Sequence, residues 1–258
     1  MVVAPAVHLE NVSVGFEVPD KGAVLALDTV SLDVAAGEFV ALLGPSGCGK
    51  TTILNMLAGV LRPSAGRVQR HGVDVTGPSA DVGYMLARSA LTPWRTARRN
   101  VELPMELRCV GKRERRRRAM GLLTQLKIDH FAEAYPSQLS HGMQQRVAIA
   151  RTLAIDPDLW LMDEPFGALD AQTRVEVQSE FLSIWEGSGK TVLFVTHDLA
   201  EAVLLADVVV LMTARPGRIK SVTRIDIERP REPKDLIFDP RLDVIREGIW
   251  ADLRDELA

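Results

Sequence analysis

Phe39-Val40-Ala41-Leu42-Leu43-Gly44-Pro45-Ser46-Gly47-Cys48-Gly49-Lys50-Thr51-Thr52-Ile53-Leu54-Asn55-Met56-Leu57 reads as a buried strand, a glycine-rich turn and the start of a helix. Residues 44–51 match G-x-x-x-x-G-K-[ST], in which glycines let backbone N–H groups curl around phosphate oxygens while the helix N-terminus adds partial positive charge. Lys50 is then placed to reach the β- and γ-phosphates, and the Thr51 hydroxyl to ligate Mg²⁺. The expected nucleotide contacts are Gly44, Pro45, Ser46, Gly47, Cys48, Gly49, Lys50, Thr51 and Thr52. An ordinary glycine-rich turn is the alternative, but the full pattern stands in the strand-turn-helix context that gives it meaning.

The 258 residues are 47% apolar and 25% charged, enough to bury a full core. A formal charge of -3 gives no basic footprint of the kind nucleic acid requires. Two cysteines, Cys48 and Cys109, form no metal-ligand or redox motif and fit a reducing compartment. The first residues lack the basic and apolar regions of a secretory signal, and no apolar run approaches the roughly 20 residues that span a bilayer. These features predict a cytoplasmic protein that meets a membrane only through a partner.

Ahead of the phosphate-loop strand, residues 8–18 and 28–34 alternate with period two and are expected as antiparallel strands, with 19–22 as a loop. Beyond the helix, 66–75 predicts a hairpin turning near Gly72, and 81–86 a further strand. From 96 to 153 charged and apolar residues recur at helical spacing, which marks a helical insert. Its run Lys112-Arg113-Glu114-Arg115-Arg116-Arg117-Arg118 carries no interleaved aromatic residues and is read as a solvated helix face rather than a nucleic-acid surface.

Leu159-Trp160-Leu161-Met162-Asp163-Glu164 is an apolar strand that ends in two acids. In α/β sheets ligands sit outside the carboxyl ends of strands, so Asp163 can hold Mg²⁺ and Glu164 can face an attacking water as general base. A helix over 172–185 leads to the strand Thr191-Val192-Leu193-Phe194-Val195-Thr196, which runs into His197-Asp198 and puts His197 in the same topological position as Asp163. A γ-phosphate contact is the reading for His197. Residues 208–212 form a further strand, 215–218 a turn, and 242–257 an amphipathic helix.

Together these pieces resemble the nucleotide-binding subunit of ATP-binding cassette (ABC) transporters over residues 8–220. The specific element is Leu139-Ser140-His141-Gly142-Met143-Gln144-Gln145-Arg146, which is similar to the cassette signature L-S-G-G-[QM]-x-Q-R. The resemblance implies an α/β fold: a P-loop NTPase (RecA-like) core sheet with an antiparallel β subdomain and an inserted α-helical subdomain. It implies an ATP-binding domain over 8–228, the helical subdomain at about 88–155, and a C-terminal tail over 229–258. Phe16, for which a core side chain is the alternative reading on sequence grounds, resembles the aromatic residue that stacks on adenine. Asp170 falls in Phe166-Gly167-Ala168-Leu169-Asp170, which resembles the loop that crosses to a partner cassette, and His197 resembles the switch histidine. The family's head-to-tail dimer implies that Ser140 and Gly142 of one copy cover ATP held by the other, with a helix N-terminus aimed at the γ-phosphate.

Two positions depart from the family. His141 stands where glycine is usual, and Ala87 stands where a glutamine is expected before Leu91-Thr92-Pro93-Trp94. The second puts turnover in doubt. Residues 42–52, Pro93-Trp94-Arg95-Thr96 and Met143-Gln144-Gln145-Arg146 resemble importers of nitrate, sulfonates, taurine and similar small anions. The expected partners are a second cassette, a membrane permease contacted near Ala87 to Trp94, and indirectly a periplasmic or lipid-anchored solute-binding protein, with no nucleic acid. The expected location is the inner face of the cell membrane. An ATP-dependent clamp of weak turnover and a soluble non-transport cassette protein are the alternatives.

Overall fold

In a computed structural model describing residues 4–18, 22–87 and 90–257, the phosphate-loop strand β3 (Phe39–Leu43) lies inside a mixed sheet. Its neighbours are β8 (Thr191–Thr196) and β9 (Val208–Met212), both parallel to it. Outside β8 run β7 (Leu159–Asp163) and β6 (Val82–Met85), again parallel. Beyond β9 the antiparallel strand β10 (Ile219–Arg224) closes the other edge, giving the order β10-β9-β3-β8-β7-β6 among the described residues. A second sheet, β2-β1-β4-β5, is antiparallel: β1 (Val7–Val18), β2 (Gly22–Val34), β4 (Ala65–Arg70) and β5 (Val73–Asp74). The hairpin between β4 and β5 turns through His71 and Gly72, both at positive φ, which suits a tight two-residue turn.

Every residue of β3 is buried, and alternation sends its side chains to two cores. Phe39, Ala41 and Leu43 face the helical side, whereas Val40 and Leu42 face the antiparallel sheet and α1 (Lys50–Leu57). The neighbouring strands divide likewise, with Val192 and Phe194 on the first side and Leu193 and Val195 on the second. Helix α1, which opens at the phosphate loop, buries Ile53, Leu54, Met56 and Leu57 between the two sheets.

The inserted region holds α2 (Ala97–Leu107), α3 (Lys112–Gln125) and α4 (His141–Leu153). Most of its arginine-rich run is exposed, though Arg115 turns in to donate to the Val110 carbonyl (3.0 Å); Glu114 bonds Arg117 and Arg118, and these hold its carboxyl down to about 2. Buried Asn100 accepts from the Thr92 N–H (2.8 Å) and donates to the Thr92, Arg95 and Thr96 carbonyls, folding the turn that presents Trp94 outward. Beyond β7, α5 (Ala171–Glu186) contributes Phe181 and Trp185 to an edge-to-face cluster with Phe39, which also meets Phe194.

The chain beyond residue 228 is joined to the core. Arg231, its side chain 1% exposed, donates to the carbonyls of Ala206, Ile225 and Ile227. Arg229 bonds Asp207 and lies 4.6 Å over the Trp185 ring. Helices α7 (Pro233–Leu236) and α8 (Pro240–Leu257) follow, and Leu242, Ile249 and Leu253 enter the first core. No helix among the described residues is long and apolar enough to cross a membrane.

Helix α6 (Leu199–Leu205) begins just after His197 and is capped by Asp198, which accepts from the Ala200 and Glu201 N–H groups. Buried Glu201 accepts from the Thr196 hydroxyl (2.8 Å) and the Gln178 amide (3.2 Å). Burial pushes its carboxyl up to about 6 from an ordinary 4.5, against the Thr196 hydrogen bond and the Arg174 charge and with Asp198 adding to the rise. Between those values the native state binds more protons than the unfolded chain, so stability falls as pH rises through the window, by on the order of 2 kcal/mol. Urea unfolding of parent and Glu201→Gln across that window checks this. The parent is expected to lose stability relative to the variant as pH rises, and a constant difference would remove Glu201 as the cause.

Candidate functional site

The phosphate loop, Gly44 to Thr51, bridges β3 and α1, and close approaches at two glycines fix its path. Gly49, the residue before α1, has φ +97, and a Cβ there would overlap the Leu27 side chain of β2. Opposite, Gly217 lies so close to the Cys48 carbonyl that any Cβ would overlap it. Lys50 runs along the inside, its ammonium donating to the Gly44 carbonyl (2.7 Å) and the Pro45 carbonyl (3.0 Å), with the Cys48 sulfur at 3.7 Å. Burial pushes the Cys48 thiol up, against the pull of Lys50.

A cavity of about 370 Å³ opens on this loop. Ser46, Gly47, Gly49, Lys50, Thr51 and Thr52 form one wall, while Phe16, Val24 and Ala26 form an apolar wall. Phe16 pairs with Val24 across the β1–β2 ladder and is 41% exposed, so it is not a core side chain. Glu164, Val195 and Arg215 complete the lining.

At the carboxyl end of β7 the acids part company. Asp163 is buried and accepts from the Thr51 hydroxyl at 2.9 Å. Burial pushes its carboxyl up and Glu164 adds to this, while Thr51 and Lys50 oppose it. Glu164 adopts φ +46, donates its N–H to the Val195 carbonyl (2.9 Å), and brings Oε1 to 3.1 Å from His197 Nδ1. A left-handed non-glycine residue in this position carries backbone strain that the β7–β8 pairing must sustain. Phe166, two residues on, is fully buried against Phe181 and Phe194 and so anchors the segment carrying Glu164.

Not every expected residue meets at the cavity. Gly44, Pro45, Cys48, Asp163 and His197 stand behind or beside the lining residues, and Ser140, Gly142 and Asp170 do not line it either. Ser140 caps α4, its hydroxyl oxygen accepting from the Met143 N–H (3.3 Å), which leaves its own proton free to donate. Gly142 packs against Thr173 at the start of α5. Asp170 caps α5, and the Thr173 N–H and hydroxyl hold its carboxyl below the usual range. The Gln145 amide donates to the Pro165 carbonyl, which ties the helix bearing Ser140 to the segment after Glu164. Arg174 adds a second tie, donating to the Leu169 carbonyl (3.0 Å) and to Asp198 (3.2 Å), beside His197. Ala87 is exposed two residues past β6, and Arg88 and Ser89 of the expected permease-facing segment lie outside the described residues.

The donor set fits Mg²⁺. Thr51 and Asp163 offer two hard oxygens side by side with a phosphate-binding loop, and Mg²⁺ commonly takes one or two protein oxygens with phosphate and water completing its shell.

Residues 27–167 match the ABC transporter family, and the chain belongs to the ATP-binding subunits of that family. Proteins of this kind hydrolyse ATP, so the chain is an ATPase. An uncharacterised ABC transporter ATP-binding protein of Methanocaldococcus jannaschii is 50% identical over 230 residues, 89% of this chain and 86% of its own. A taurine import ATP-binding protein of Roseobacter denitrificans is 42% identical over 256 residues, 96% of this chain and 95% of its own. The solved dimer of an ATP-binding cassette in a post-hydrolysis state, bound to ADP and Pi, superposes with a TM-score of 0.77 at 33% identity, over 86% of this chain and 100% of that one.

Sequence reasoning missed Val24, Ala26, Arg215 and Val195 of β8 as cavity residues. The first two stand on the opposite sheet, and Arg215 lies in a turn whose spacing says nothing of what it faces. The turn's contact with the phosphate loop is testable. Gly217→Ala is expected to cost about 1–3 kcal/mol through overpacking against the Cys48 carbonyl and to weaken ATP binding, whereas Gly187→Ala, with open space at that position, serves as a near-neutral control. Denaturant midpoints and ATP titration of both variants check this.

Proposed function

We propose that this chain is the ATP-hydrolysing subunit of a membrane importer for a small anion such as nitrate, a sulfonate or taurine. The observation that carries the reading is a nucleotide cavity complete on one side only. The phosphate loop and Glu164 line it, with Asp163 bonded to Thr51 behind it and His197 next to Glu164, whereas the signature residues Ser140 and Gly142 stand elsewhere at the start of a helix. A second copy, docked head to tail, brings those groups to the γ-phosphate.

In this reading adenine rests against Phe16 and the phosphates lie along the loop from Gly44 to Thr52. Lys50 moves its ammonium onto the β- and γ-phosphates, exchanging carbonyl partners for anionic ones. Thr51 and Asp163 hold Mg²⁺, which when bound neutralises phosphate charge. Glu164 accepts the proton of the attacking water while His197, within hydrogen-bond reach of it, fixes its orientation and contacts the γ-phosphate. The partner copy's helix N-terminus, with a serine O–H and a glycine N–H, stabilises the charge on the γ-phosphoryl oxygens as that group passes to water and ADP leaves. The loop ending at Asp170 reports closure to His197 through Arg174 and Asp198.

Transport requires partners that this chain does not supply. A groove of about 610 Å³ between α2 and α3 is lined by Trp94, which is 76% exposed, and by six cations against Glu102 and Glu106. Such a groove suits a short cytoplasmic helix of a permease that offers an apolar socket and acidic side chains. The complex sits on the cytoplasmic face of the membrane, and a solute-binding protein outside selects the substrate. The resemblance to a taurine import subunit over 96% of the chain supports the anion class.

Glu164→Gln is expected to keep ATP binding, to lower hydrolysis by roughly 10² or more, and to accumulate as an ATP-bound dimer in gel filtration. Normal turnover in that variant would remove Glu164 as the base. Ala87, which can neither ligate a metal nor orient water, favours a second reading as a slow clamp. An ATP-bound dimer of the parent that persists because its hydrolysis is slow would select it.

The groove makes a separate prediction. Trp94→Ala is expected to abolish transport in the assembled complex while the isolated subunit keeps its ATPase rate and unfolding midpoint, because so little of Trp94 is buried. A lowered midpoint would return Trp94 to the core and end its role as anchor.

A further inference from the structure

Arg215 belongs to no motif. It sits in the turn between β9 and β10, it lines the nucleotide cavity, and its Nη2 lies 3.4 Å from where a Cβ of Gly47 would stand. Among the described residues its guanidinium has no hydrogen-bond or ion-pair partner, which sets it apart from the neighbouring Arg218, paired with Asp28. An unpaired cation against the phosphate loop is aimed at an anion.

The turn that carries it is fixed from four sides. The Thr213 hydroxyl donates to the Ala214 and Pro216 carbonyls and accepts from the Arg218 N–H (3.0 Å). Gly217 exchanges backbone bonds with the antiparallel sheet, donating to the Ala26 carbonyl (2.9 Å) and accepting from the Asp28 N–H (3.0 Å). Gly217 also abuts the Cys48 carbonyl, so the turn and the phosphate loop move together. The last tie comes from the end of α8. Glu256 accepts from the Ala214 N–H at 2.9 Å and pairs with Lys220 at 2.9 Å, and Lys220 also donates to the Asp252 carbonyl (2.8 Å). Lys220 and Ala214 together hold the Glu256 carboxyl below its usual range.

We propose that Arg215 is a further nucleotide-binding residue, which places its guanidinium on the phosphates from outside the loop, and that Glu256 of the C-terminal helix is the positioning residue for its turn. The inference rests on the nucleotide reading of the cavity. Its chemistry is that of a planar, permanently charged fork that can take two phosphate oxygens at once. The adenine end is set apart by the apolar side chains of Phe16, Val24 and Ala26, whereas Arg215 stands against a glycine of the phosphate loop. The consequence is that the last turn of the chain, far from the motifs in sequence, takes part in holding nucleotide.

The full-length chain is titrated with ATP and with adenosine, by displacement of a fluorescent nucleotide, for the parent, Arg215→Ala, Arg215→Lys, Glu256→Ala and the double variant Arg215→Ala/Glu256→Ala. Arg215→Ala is expected to weaken ATP about 10-fold, the scale of a charged hydrogen bond. It should leave adenosine affinity and the thermal midpoint unchanged, and the ATP loss should shrink as salt rises. Arg215→Lys should recover part of the loss. Glu256→Ala should weaken ATP several-fold when Arg215 is present and not at all in the Arg215→Ala background, a coupling that simple destabilisation would not produce. Equal ATP affinity in Arg215→Ala and parent overturns the proposal. An equal loss for adenosine puts Arg215 on the base and overturns the phosphate contact, and additive effects remove Glu256 from its role. A parent that does not bind ATP fails the cavity reading itself, which Lys50→Ala, expected to abolish binding, tests separately.

Discussion

The tightest constraint in this molecule is the wedging of the phosphate loop between a side chain of the antiparallel sheet and the backbone of the turn after β9. On one side Leu27 of the antiparallel sheet fills the space a side chain at Gly49 would need, and on the other the turn after β9 brings Gly217 onto the Cys48 carbonyl. A Cβ at Gly217 would run into backbone, and one at Gly49, already at φ +97, would displace the Leu27 side chain, so the loop is confined on both sides. The rest of the architecture maintains that wedge. Burial of α1 between the sheets fixes the loop's exit, and the fully buried β3 fixes its entry. A loop held in this way keeps its path before a phosphate arrives, the kind of preorganisation that electrostatic stabilisation requires.

The other half of the site depends on different physics. Glu164 is held at an unfavourable φ by its bond to the Val195 carbonyl, and Phe166 pins the following residues into the aromatic cluster. The acid is therefore positioned by packing several residues away, whereas Asp163 is positioned by burial and one hydroxyl. That division suits two carboxylates with different tasks. One is desolvated beside a hard-oxygen partner, and the other sits at the open edge of the cavity next to an imidazole.

Much of this was legible in the sequence because the signals were local. The strand-turn-helix order around Gly44 to Thr51 and the apolar run ending in Asp163-Glu164 each carry their meaning within a few residues. The expected strand over 28–34 begins earlier, at Gly22, because the first residues of β2 are exposed and show no alternation to read. Strand β10 lacked the pattern of a buried strand for the same reason: it is an edge strand with half-exposed residues. Helix α6 spans only seven residues and is almost wholly buried, so no amphipathic period marks it. Contacts between distant segments, such as Glu256 with Ala214 or Gln145 with Pro165, leave no trace in spacing at all.

Residues that look like a ligand-binding motif can also serve the fold, and here the two uses are compatible. Ser140 and Asp170 each spend a lone pair capping a helix, which fixes the two helix starts relative to one another through Gly142 against Thr173. Capping consumes acceptor capacity on the oxygen and leaves the serine O–H proton available, so the same hydroxyl can anchor α4 and still donate to an anion. His141 follows Ser140 as the first residue of α4, so its substitution for glycine disturbs neither the cap nor the helix. A side chain there can act only on what approaches the helix start from outside. The departure from the family pattern therefore bears on the surface a second copy would meet and leaves the fold of the single chain untouched.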